Sequence, residues 1–124
     1  MDVYDPEKTP DSIEWLELDE DARIDLVQAY HADANIELPD AMLHAAIHVV
    51  VENQLALDVD PVSDTLERLQ RQGLDRHEAI HAVGAVLSED IASLLGGGQG
   101  QWNHNRYESR LNKLTAKRWQ KGKW

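Results

Sequence analysis

At 124 residues the chain is long enough to bury one core without staples, and it has no cysteine, which excludes disulfides, thiolate chemistry and cysteine-ligated zinc. The formal net charge of -11 is unevenly placed: from Arg106 onward seven basic residues face the single acid Glu108, a stretch of about +6, which leaves about -17 for residues 1–105. An acidic body repels nucleic acid and anionic membrane, and the acidic start MDVYDPEKTPDS and the lack of any long apolar run give the expectation of a soluble cytoplasmic protein with neither a secretory signal nor a membrane span.

In chain order, Pro6 and Pro10 among acids mark a loose start, followed by a short helical turn holding Ile13, Trp15 and Leu16. Asp19 is placed to cap a helix carrying Ala22, Leu26, Val27 and Tyr30, with His31 to Asn35 as its exit. Pro39 suits the first turn of a second helix running to about Leu57. Asp60-Pro61 reads as an N-cap followed by proline at the first helical position of a third helix, with Val62, Leu66 and Leu69 on one face and Gly73 as its stop. Asp75 then caps a fourth helix reaching Leu95. GGGQG, residues 96–100, reads as a flexible linker, after which Tyr107, Leu111 and Leu114 form one stripe of a final basic helix. No segment alternates as a strand would. The expected fold is an all-α bundle of about five helices, a single domain with an acidic helical core over 1–95, a linker over 96–105 and a basic amphipathic helix over 106–124.

The second helix contains AMLHAAIHVVVENQLAL, whose only polar side chains are His44, His48, Glu52, Asn53 and Gln54. At about 100° per residue, His44, His48 and Glu52 fall within a sector of about 80°, one polar stripe on a helix that is otherwise core. On the fourth helix His77-Glu78-Ala79-Ile80-His81 spells H-E-x-x-H, again two imidazoles one turn apart. If these two helices face each other, four imidazoles and a carboxylate converge. Neutral imidazole is the commonest protein ligand for metals, and one-turn spacing brings two ring nitrogens toward one ion. The candidate metal ligands are therefore His44, His48, Glu52, His77 and His81, with Glu52 either a ligand or a partner of one. Zinc is the first expectation for the cofactor, with iron or manganese as alternatives, and Glu78 is the candidate catalytic base.

Each of these readings has a plainer counterpart. Asp75-x-x-Glu78 resembles a capping box, which gives Glu78 a structural occupation, and buried histidines can be satisfied by carboxylates or backbone. The further ligand segment of the zinc peptidases is missing after His81. A metal site and a metal-free polar network thus stay open side by side, with peptidase chemistry behind both. Asn53 and Gln54 suit hydrogen bonds between helices or a helix-end cap better than contact with a ligand. Arg76 can pair with Glu52 or an anionic ligand, although a surface ion pair is the commoner outcome, and His31 and His104 are expected to face solvent. Trp102, Trp119 and Trp124, among basic residues, are expected to dock within the chain rather than on RNA.

The segments WLELDEDARIDLV, LHAAIHVVVENQLAL and TLERLQRQGLDRHEAIHAVGAVLSED together resemble a small bacterial family of unknown function that shares HxxxHxxxENQ and GLDRHEAIHAxG segments. The likeness covers most of residues 13 to 93. It implies that His44, His48, Glu52, Asn53, Gln54, Arg76, His77, Glu78 and His81 matter together, and it implies no substrate.

Two functions follow as expectations. One is a metal-binding helical protein with a metal-dependent hydrolase as its catalytic form. The other is a non-catalytic interaction module in which the His and Glu residues form a buried network while the charged faces recruit a protein partner or a second copy. Nucleic-acid binding through the tail ranks last and a membrane role is not expected. GGGQG lacks the Lys-Ser/Thr of a phosphate-binding loop.

Overall fold

Asp11 opens the first helix: its carboxylate accepts from the backbone N–H groups of Ile13 and Glu14, and α1 runs over Ser12–Glu17. The structure is a computed structural model that describes residues 1–34, 40–96 and 101–124. Among these, six more helices follow: α2 over Glu20–Asp33, α3 over Ala41–Ala56, α4 over Val62–Arg71, α5 over Arg76–Gly96, α6 over His104–Lys113 and α7 over Ala116–Gln120. No strand occurs among the described residues, so the all-α expectation holds. Seven helices replace the expected five because α1 is a separate helix and the basic tail is two.

By its contacts the chain divides into two units, Met1–Val59 and Asp60–Trp124. In the first, α3 packs on α2 and on α1. Tyr4, Trp15, Val27, Ala45 and Val49 form its core, closed at the edges by Leu18, Ile24, Leu26, Tyr30 and Ala56. The apolar circumference of α3 makes it central here. Asp40 caps its start by accepting from the Leu43 N–H; Pro39, expected in its first turn, lies outside the described residues. Its end is a Schellman turn, in which the Val59 N–H reaches the Gln54 carbonyl and the Asp58 N–H reaches that of Leu55, with Asp58 at φ 53°.

In the second unit α5 packs on α4 and α6, and α4 also meets α6. Val62, Leu66 and Leu69 are buried as their spacing requires, and Gly73, at φ 110°, ends α4 with the Leu74 N–H bonded to the Leu69 carbonyl. Pro61 stands at the N-cap of α4, one place earlier than expected from sequence. Asp75 caps α5, as expected, by accepting from the Glu78 N–H at 2.8 Å. The GGGQG linker falls largely on residues 97–100, outside the described residues.

The expected single helix over 106–124 is broken at Leu114–Thr115. Arg68 on α4 takes the carbonyls of Leu111 and Leu114 at the end of α6, and the Gln72 amide oxygen accepts from the Ala116 N–H. Thr115 then caps α7 by accepting from the Arg118 N–H. Arg110 ties α6 to α5 through Glu89 and Asp90. Burial pulls its guanidinium down, but the bonds to the two carboxylates outweigh that and raise it above its ordinary value. No helix among the described residues is long and apolar enough to cross a membrane.

Candidate functional site

The stripe on α3 lands as its spacing requires. His44 is half-buried, while His48 and Glu52 are 1% and 2% exposed. What the stripe faces was not expected. His31, in the last turn of α2, is buried rather than solvent-facing, and its ring stands 4.7 Å from that of His44 and 5.0 Å from that of His48. The His44 and His48 rings are 4.8 Å apart. The three rings thus form a nearly equilateral triangle inside the first unit, and one nitrogen from each lies within 4.8 Å of the others.

The sequence carried a signal for His31. Val27, read as core, precedes it by four residues, so the two share a helix face and a buried Val27 turns His31 inward. The contrary signal was its place at a helix exit.

The backbone fixes the orientation of the His31 ring. Its Nδ1 is 2.9 Å from the Val27 carbonyl, and since a carbonyl can only accept, Nδ1 carries the proton and Nε2 presents a lone pair when the ring is neutral. That Nε2 lies 3.2 Å from Nε2 of His44. Without a cation, a proton on His44 Nε2 must bridge them. With one, the same separation is close to the edge of a tetrahedral zinc site, about 3.3–3.4 Å for Zn–N bonds of 2.0–2.1 Å.

Behind the triangle sits Tyr4, 1% exposed. Its hydroxyl is 2.5 Å from Glu52 Oε2 and 3.2 Å from His48 Nδ1, and its ring packs against Trp15 and Tyr30. Glu52 also lines a cavity of about 250 Å³ with Thr9, Pro10, Ser12, Trp15, Leu55 and Ala56. Asn53, the next residue, does the bridging work expected of it: its Oδ1 accepts from Trp15 Nε1 at 2.8 Å and from Arg23 Nη1 at 3.0 Å, joining α1, α2 and α3.

In the second unit His77 and His81 stand together on α5, ring centroids 4.3 Å apart. Glu78, the candidate base, has a half-exposed carboxylate. Its Oε1 accepts from Trp119 Nε1 at 2.6 Å and its Oε2 is 3.9 Å from His81 Nδ1. The capping box is therefore half-formed: Asp75 caps, while the Glu78 carboxylate turns to Trp119. Arg76 is buried, so the surface ion pair that is the commoner outcome is not the one found. His104, expected in solvent, is half-buried and donates from Nε2 to the Asp60 carbonyl at 3.0 Å. Asp90 is engaged by Arg110 and Arg106.

Searches against protein-family models, curated proteins and solved structures give no match for this chain.

Proposed function

We propose that this protein binds a divalent metal ion through His31, His44 and His48. The observation that carries this reading is the Nε2 to Nε2 approach of His31 and His44, with His31 held by Val27 so that its lone pair points at the meeting place. An all-imidazole donor set without thiolate suits zinc first, and cobalt, nickel or copper by affinity order. The surroundings favour a cation: the first unit has fifteen acidic residues and two basic ones, a field that concentrates divalent ions. Hydrolysis with Glu78 as base rests on the His77-Glu78-Ala79-Ile80-His81 motif alone, and Glu78 would have to exchange its bond from Trp119 for a water.

Elemental analysis of untagged protein, purified without chelator, tests the proposal. One equivalent of metal in the native chain, lost in His31→Ala and His44→Ala, is the expected result. Loss in His81→Ala as well would extend the ligand set to the joint one expected from sequence. An absence of metal that persists after incubation with zinc, cobalt or manganese refutes the proposal. It would favour the second reading, a metal-free module, for which the Asn53 bridge and the Tyr4–Glu52 bond already supply a buried polar framework.

A further inference from the structure

Tyr4 lies far from any motif in the sequence, yet its hydroxyl touches both Glu52 and His48. We infer that Tyr4 is a positioning residue that fixes the tautomer and ring direction of His48 for the metal, with Glu52 holding Tyr4; the inference rests on the metal-binding reading above. The argument is one of proton count. A phenol has a single O–H. At 2.5 Å from Glu52 Oε2 that proton is committed to the carboxylate, in the range of short charge-assisted O–H···O⁻ bonds. The contact with His48 at 3.2 Å must then run the other way, from Nδ1–H to the Tyr4 oxygen. His48 is thereby held with its proton on Nδ1 and its ligating lone pair on Nε2.

His31 reaches the same state by a different route, through the Val27 carbonyl. Two of the three imidazoles are thus set in the same tautomer by unrelated partners, an arrangement that metal sites use to orient their ligands. A histidine that served only to fill the core would need no such agreement. Glu52, expected to be either a ligand or a ligand's partner, takes the second part: its Oε2 is occupied by the tyrosine, and the chain Glu52, Tyr4, His48 leads toward the metal rather than beginning at it.

The test uses Tyr4→Phe in the full chain, which keeps the ring packed against Trp15 and Tyr30. Cobalt(II) titration followed by visible absorption should show affinity about 10–100-fold weaker than in the native protein, with an altered ligand-field spectrum. A second measurement needs no variant: nitrogen-15 NMR of the metal-free native protein should place the His48 proton on Nδ1, and in Tyr4→Phe that proton should move toward Nε2. If the native protein binds no cobalt(II), the metal-binding reading and this inference fall together. Native binding with unchanged affinity in Tyr4→Phe, or a His48 proton found on Nε2 in the native protein, overturns the role of Tyr4 and leaves the metal site standing.

Discussion

Asn53 carries two donors on one oxygen, the indole N–H of Trp15 and a guanidinium N–H of Arg23. Trp15 is fully buried and the Arg23 side chain is 11% exposed, so neither donor finds water easily if the acceptor is removed. Asn53→Ala should therefore destabilise the protein by about 2–3 kcal/mol, the cost of stranding buried donors; a urea transition at an unchanged midpoint would show that the bridge contributes nothing. The neighbouring positions show what a sequence reveals at this scale. His44, His48 and Glu52 share a face because helix geometry alone puts them there. Asn53 was legible as a cross-helix bonder by its chemistry. His31 was legible only as inward-facing, from its spacing to Val27, and Tyr4 not at all: their roles depend on which residues of a different segment stand opposite, and neither periodicity nor spacing contains that.

Helix ends were legible in part. Asp75 caps α5 with its carboxylate and Gly73 stops α4 at positive φ, both as expected. Asp19, by contrast, stands at the N-cap of α2 without a side-chain cap bond, and Pro61 takes the N-cap place expected of Asp60. The carboxylate caps Asp11 and Asp40 were not read from sequence. The end of α3 repeats the Schellman geometry of α4 with Asp58 where glycine would be unstrained. Asp58 is exposed, and left-handed backbone costs a residue with a Cβ about 1–2 kcal/mol. Glycine returns part of that gain through its greater freedom in the unfolded chain. Asp58→Gly should accordingly raise stability by about 0.5–1 kcal/mol in a denaturation experiment; a loss would mean that the aspartate makes a compensating contribution. The break between α6 and α7 lay beyond sequence reading for a physical reason. The stripe of Tyr107, Leu111 and Leu114 is continuous with a basic helix, and it is Arg68, some forty residues earlier, that takes the carbonyls at which the helix stops.

Across the whole molecule the contact boundary between Val59 and Asp60 coincides with a change in charge. The first unit carries a net -13 and the second +2. The sequence showed the asymmetry but located it at Arg106, since the basic residues crowd there while Arg68, Arg71 and Arg76 are scattered among acids. The histidine triangle sits in the acidic unit, whose long-range field favours cations. Metal bound only to the folded state also stabilises it, by about 2.7 kcal/mol at a hundredfold excess over the dissociation constant.

X-ray absorption of the zinc-loaded protein tests the central claim most directly, because it reads the donor atoms themselves. Binding by His31, His44 and His48 predicts a first shell dominated by nitrogen at about 2.0–2.1 Å with the outer-shell scattering of imidazole rings, lost when His31 and His44 are replaced by alanine. A shell of oxygen alone, as carboxylates scattered over the acidic surface would give, or zinc that dialysis removes completely, would contradict it.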